Sequence, residues 1–249
     1  MRSLIICEGI DDLYILGHYL NKTEKWQPVL KSELPYGENY PANLKDNQKI
    51  NSFEKLGNYL DIFAVGGDSR IGVAFDFLKV TNENNPEFLI SQVFIVMDKD
   101  DDSVEKRLRQ IEKTAKKKDL AIELLKNNQI NKFTLSTVEK YELSVIPIVI
   151  PFDENGALET LLLTSIAGGD TEDKLVVELA NKHIAAFLES GQQYKYLKQR
   201  RLVTKAKLAS AISITHPDRA GVVRELLTSH NWENHSKIRD HFKMLNELL

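Results

Sequence analysis

The chain has 249 residues, a formal charge of −3 and 42% hydrophobic residues, a composition that supports a packed core and excludes intrinsic disorder and collagen-like repetition. No apolar run reaches the roughly 18 to 20 residues that span a bilayer, and no charged-then-apolar leader opens the sequence, so a cytoplasmic protein with no membrane segment is expected. The single cysteine, Cys7, excludes an internal disulfide and a thiolate zinc cluster.

In chain order, Leu4–Cys7 reads as a strand and Asp11–Leu20 as a helix, with Leu13, Leu16 and Leu20 at helical spacing and Asp11 and Asp12 near its first turn. Trp26–Ala42, with Pro28, Pro35, Gly37 and Pro41, reads as irregular and belongs to an insertion over about 21–58. Tyr59–Val65 is a second strand that runs into Gly66-Gly67-Asp68, and a helix through about Leu78 follows. Phe88–Met97 is the most strand-like run. Ser103 to about Lys126 reads as a long charged helix with a sparse stripe of Leu108, Ile111, Ala115 and Leu120. Strands are expected at Lys132–Val138 and Glu142–Pro151. This alternation predicts an α/β fold over residues 1–165, a mainly parallel Rossmann-like sheet flanked by helices. Residues 166–249 are expected to form a helical appendage, with helices at Lys174–Glu189, Lys205–Ile214, Ala220–Ser229 and Lys237–Leu249.

Ligands of open parallel sheets gather where the strands end at their carboxyl edge. The first strand ends in Glu8-Gly9, the second in Gly66-Gly67, the third in Asp98-Lys99-Asp100-Asp101-Asp102, and the last runs into Asp153 and Glu159. Carboxylates gathered at one edge repel one another, and hard oxygen donors suit Mg²⁺ or Mn²⁺. Alternation in an extended segment would turn Asp98 and Asp100 to one side and Lys99 to the other. Asp98–Asp102 reads equally as a solvated turn that caps the next helix, with Asp101 and Asp102 as cap or solvent residues.

Glu8-Gly9-Ile10-Asp11-Asp12 after an apolar strand, with a hydrophobic strand ending in Asp98-Lys99-Asp100 about ninety residues later, resembles the Toprim domain shared by topoisomerases, bacterial primases, recombination mediators and OLD-family nucleases. Val65-Gly66-Gly67 and Leu158-Glu159-Thr160-Leu161-Leu162 are similar to elements of the OLD-like branch, and the likeness spans roughly residues 3–163. It implies a Toprim fold, with Glu8, Asp12, Asp98, Asp100 and Glu159 as metal-site acids and Glu8, Asp98 and Asp100 as the catalytic set. Asp153 is a weaker member. The insertion is longer than the minimal fold needs. Two Mg²⁺ or Mn²⁺ ions in such a site suit phosphodiester cleavage, and Glu8 alternatively serves as general acid or base. Gly66 and Gly67 would allow close approach of a phosphate, or simply make a tight turn. Arg70 beside them would touch phosphate or form a surface salt bridge.

The charge is divided unevenly: residues 1–160 carry 20 basic and 26 acidic side chains, residues 161–249 carry 13 and 10. Lys195, Lys198, Arg200, Arg201, Lys205 and Lys207 follow one another with no acid between, and Tyr194 and Tyr196 are interleaved. They could neutralise phosphates and stack on bases, or form a solvated helix face with the tyrosines in the core. Trp232 is expected to anchor the last helix, and the histidines show no metal-ligand spacing. The expected function is metal-dependent nuclease action on DNA or RNA. With no Walker A motif in the sequence, an OLD-like ATPase would have to be a separate protein, as in an anti-phage effector pair. The competing reading is a non-catalytic Toprim-fold module that binds nucleic acid or protein.

Overall fold

The computed structural model describes residues 1–37, 44–136, 140–189, 197–215, 217, 225, 227–228 and 230–249. Two units emerge: Met1–Met97 with Asp102–Val149 and Met244–Leu249, and Asp98–Asp101 with Ile150–Lys243.

The first unit is built on strands that are apolar on both faces. β1 (Arg2–Cys7) is buried along its whole length. It is followed by α1 (Ile10–Glu24), β2 (Gln27–Val29), β3 (Lys49–Lys55) and β4 (Asn58–Ala64). Then come α2 (Ile71–Asn84), β5 (Ile90–Asp98), α3 (Val104–Lys116), β6 (Asn131–Ser136) and β7 (Lys140–Ile150). The seven strands form one sheet in the order β2-β3-β4-β1-β5-β7-β6. β1 lies parallel to both β4 and β5, whereas β2–β3, β3–β4 and β6–β7 are antiparallel. The α/β class is as expected, and the sheet combines central parallel pairs with antiparallel arms.

The antiparallel arm arises in the insertion. Residues taken as irregular include β2, and β3 extends the sheet as a hairpin partner of β4, closed by Leu56-Gly57 with φ of 52° and 77°. Two central residues with positive φ make the turn whose twist suits a tight hairpin. Leu56 is not a residue type that advertises such a turn, which is why composition hid it.

Leu4, Ile6, Phe63, Val65, Val93, Ile95 and Met97 pack with Phe75 and Leu78 of α2 and Leu108, Ile111 and Ala115 of α3. The alternate residues Ile5, Leu60, Ile62 and Phe94 are equally buried, and α1 packs against β3 and β4. Both faces are therefore covered, as a central parallel core requires. The third helix is shorter than its charge pattern suggested. Asp119, at φ 58°, donates its N–H to the Lys116 carbonyl and Leu120 donates to that of Ala115, a Schellman stop that turns Leu120 into the core beside Ala115.

In the second unit, α4 (Leu158–Ala167), α5 (Thr171–Glu189) and α6 (Arg200–Thr215) pack pairwise. Leu161, Leu162, Val176, Val177, Ala180, Leu208 and Ala211 are all buried. The Lys237–Leu249 expectation resolves into α7 (Ser236–His241) and α8 (Lys243–Leu248), and most of Ala220–Ser229 lies outside the described residues. Trp232 is fully buried and donates its indole N–H to the Leu227 carbonyl, as a packing anchor should. No helix among the described residues is long and apolar enough to cross a membrane.

His241 links α7 to the chain after β7. Its Nε2 accepts the Phe152 N–H at 2.9 Å, Nδ1 lies 2.7 Å from the Lys237 carbonyl, and the ring stacks on Phe152 at 4.2 Å. These partners require a neutral ring with the proton on Nδ1. Burial holds its pKa below the ordinary 6.5, and this outweighs the Lys237 carbonyl and the Asp153 and Asp240 charges, which favour the cation. The unfolded chain therefore binds the extra proton first, so the contribution of His241 to stability is complete above pH 6.5 and is lost as pH falls through the lower folded value. Thermal unfolding followed from pH 7.5 to 5 should show this loss, and His241→Gln should flatten it. An unchanged profile in the variant would contradict this assignment.

Candidate functional site

The sheet sets where the acids start. Cys7 lies opposite Val96 in the parallel pairing of β1 with β5, so these two adjacent strands run to the same carboxyl edge of the sheet.

In the first unit Glu8 is buried, 4% exposed. Its carbonyl accepts the N–H groups of Gly66 at 2.9 Å and Gly67 at 2.8 Å. The donors that would cradle a phosphate are thus taken by the Glu8 backbone, and the glycine turn positions that residue. Gly66 sits at φ +83°, and a Cβ there would fall 2.7 to 2.8 Å from Asn47 atoms. Gly66→Ala is expected to cost about 2 kcal/mol, from the left-handed backbone and the clash together. Urea unfolding measures it; a cost below about 0.5 kcal/mol would show that the turn relaxes freely.

Asp12 accepts the Gly9 N–H at 2.7 Å, closing the first turn of α1 as a helix cap. Arg70 donates to Asn47 at 2.7 Å. A polar knot that the sequence did not reveal holds the same edge. Arg107 of α3, almost fully buried, reaches Asp68 at 3.0 Å and Asp102 at 3.5 Å, and Gln110 donates to Asp68 at 3.1 Å. Burial raises the Asp68 pKa, but hydrogen bonds from Gln110, Arg107 and the Ser69 N–H, with the Arg107 charge, lower it more. The available signal was Arg107 standing one turn before Ile111, in the apolar stripe of a charged helix.

In the second unit Asp98, also 4% exposed, accepts the Leu158 N–H at 2.9 Å through Oδ1. It therefore fixes the start of α4, the helix that carries Glu159. The alternation argument for Asp98 and Asp100 does not hold: the strand ends at Asp98, and Asp100 is left-handed at φ +53°. Asp100 instead exchanges backbone hydrogen bonds with Gly156, N–H to O at 2.5 and 2.9 Å. Asp101 is paired with Arg200 and Asp102 with Lys106, while Ser103, not an aspartate, caps α3 by accepting the Lys106 N–H.

Glu159 is 12% exposed, and its Oε1 meets Lys205 Nζ at 2.7 Å. Its Oε2 is buried and has no hydrogen-bond partner among the described residues. Arg200 also donates to the Asn155 carbonyl at 2.9 Å. A cleft of about 240 Å³ is lined by Asp100, Gly156, Gln199, Arg200, Arg201 and Thr204. Lys207 borders a second, of about 410 Å³, with Glu154, Thr164 and Asn181. Lys198 is exposed, and Lys195, Tyr194 and Tyr196 lie outside the described residues. Histidines without metal-ligand spacing do meet: the Nε2 atoms of His230 and His235 are 2.8 Å apart.

The donor set is all oxygen and includes an orphaned buried carboxylate oxygen on Glu159, which fits a hard divalent cation. Among the described residues no three His, Cys, Asp or Glu side chains converge as a ready-made cage. Lysine, arginine and backbone N–H groups hold several of the acids.

No curated protein matches the chain. Among solved structures, a hypothetical protein from Pyrococcus horikoshii OT3 aligns with 98% of this chain and 99% of its own at 14% identity, with a TM-score of 0.47. The cytosolic domain of the T. maritima FeoB iron transporter in a GDP form aligns over 99% and 96% at 10% identity, with a TM-score of 0.18. At these scores neither bears on fold or function. The family model described as "protein of unknown function (DUF3226)" matches residues 2–249, and the chain belongs to that family.

Proposed function

We propose that the chain is a Toprim-type, metal-dependent nuclease that cleaves phosphodiester bonds in DNA or RNA. The observation that carries this reading is the parallel register of β1 with β5, which brings the ends of the two acid-bearing strands to one sheet edge. Glu8, Asp98 and Asp100 are the proposed core of the ligand set, with Asp12 and Glu159 completing it. When bound, Mg²⁺ or Mn²⁺ supplies Lewis acidity for attack on a phosphodiester. The chain's own contribution is to hold these carboxylates: Gly66 and Gly67 fix the Glu8 backbone, and the Leu158 N–H orients Asp98. Arg200, Arg201, Lys205 and Lys207 of α6, with Lys195 and Lys198 before it, are the proposed phosphate contacts.

The sequence carries no Walker A motif, which supports a division of labour in which this chain is the effector of an anti-phage pair and a separate protein supplies ATP hydrolysis. The test is incubation of the purified protein, alone and with a co-encoded ATPase, with labelled DNA and transfer RNA in Mg²⁺, Mn²⁺ or EDTA. Cleavage that requires the metal is expected. Absence of cleavage in every combination, with a folded protein, favours the non-catalytic binding module.

A further inference from the structure

The basic helix and the acids of the second unit are already engaged with one another. Arg200 and Arg201 occupy the first two positions of α6, where the positive end of the helix dipole disfavours cations. The partners of Arg200 offset this: the Asp101 carboxylate pairs with it, and the Asn155 carbonyl accepts a hydrogen bond from it. About one turn on, Lys205 takes Glu159 Oε1 at 2.7 Å, leaving Oε2 buried without a hydrogen-bond partner among the described residues. An ammonium on one oxygen of a carboxylate repels a divalent cation approaching the other, because like charges a few ångströms apart in a partly desolvated site interact strongly. A metal ion at Glu159 therefore competes with Lys205.

We propose that α6 is an exchangeable counter-ion. Phosphates of a bound nucleic-acid strand take Arg200 and Lys205, Asp101 and Glu159 are released, and the freed Glu159 carboxylate accepts a divalent cation. Two phosphate charges enter with one divalent cation, so net charge is unchanged, and the released Asp101, 66% exposed, is left to solvent. Nucleic acid and metal then bind cooperatively, and the coupling is reciprocal. The chain holds its metal more weakly until a strand is present, by the coupling factor. This inference rests on the reading of Glu159 as a metal ligand.

The experiment is calorimetric titration of the full chain with Mn²⁺, with and without a short oligothymidylate, alongside oligothymidylate binding by fluorescence anisotropy in EDTA and in Mn²⁺. Wild type should bind Mn²⁺ roughly fivefold more tightly with the oligonucleotide present, and should bind the oligonucleotide more tightly in Mn²⁺ by the same factor. Lys205→Gln should bind Mn²⁺ more tightly than wild type in the absence of oligonucleotide and lose the coupling, whereas Lys205→Arg should retain it. Circular dichroism melts establish that each variant is folded. If Lys205→Gln leaves Mn²⁺ affinity and coupling unchanged while Glu159→Gln weakens Mn²⁺ binding, the exchange is overturned and the nuclease reading survives. If Glu159→Gln binds Mn²⁺ as wild type does, Glu159 is no ligand, and the inference falls with that part of the reading.

Discussion

Asp98→Asn is expected to lower metal-dependent cleavage on the order of 100-fold or more while leaving the fold intact. Asn keeps the size of the side chain and an oxygen able to accept the Leu158 N–H that Asp98 now receives at 2.9 Å, so the start of α4 is preserved. What is lost is the negative charge at the end of β5, and with it the field that in the proposed site would hold a cation and stabilise charge developing in the transition state. Asp98→Ala makes the contrast. It removes charge and acceptor together and leaves the Leu158 N–H without its acceptor, at about 1–3 kcal/mol. Initial cleavage rates and urea unfolding of both variants separate the two effects. Wild-type rates in folded Asp98→Asn would remove Asp98 from the catalytic set.

The largest stability effect is expected at the opposite end of the same sheet. Arg2, 2% exposed, donates from Nε at 3.0 Å and Nη2 at 2.7 Å to Asp61 Oδ2, and Asp61 is fully buried. Ser52 donates to the other carboxylate oxygen at 2.7 Å, and the guanidinium lies over the Tyr36 ring at 3.4 Å. The pairs β1–β4 and β3–β4 are thus joined by a single charge network, with Tyr36 of the insertion as its lid. Asp61→Ala leaves a buried guanidinium without its counter-charge and should lower the unfolding free energy by about 3–5 kcal/mol. Arg2→Met with Asp61→Leu removes both charges and should recover most of that loss, since the pair stabilises mainly against its own half-removal. A loss below about 1 kcal/mol in Asp61→Ala would show that water reaches Arg2.

Much of this architecture was legible because strands and helices announce themselves by period. β1, β4, β5 and β7 are nearly unbroken apolar runs, and their ends gave the acids. What stayed hidden depended on backbone geometry. The Leu56-Gly57 hairpin turn is set by two positive φ angles, and the end of α3 by the Schellman stop at Asp119. The left-handed Asp100 likewise cancels an alternation that an extended segment would have given. Partnership was the other blind spot. Composition separated an acidic region from a basic one, but no sequence pattern could say that Lys205 would sit on Glu159 or that the Gly66 and Gly67 N–H groups would close on the Glu8 carbonyl. Arg107 showed its role only by interrupting an apolar stripe.

The claim on which the rest depends is that the acids at the ends of β1 and β5 hold a divalent cation. Electron paramagnetic resonance counts free against bound Mn²⁺ directly, without needing a substrate or a partner. Wild type should bind at least one Mn²⁺ per chain that is lost or markedly weakened in both Glu8→Gln and Asp98→Asn, with thermal unfolding of the proteins unchanged. Equal Mn²⁺ binding by wild type and both variants would contradict it.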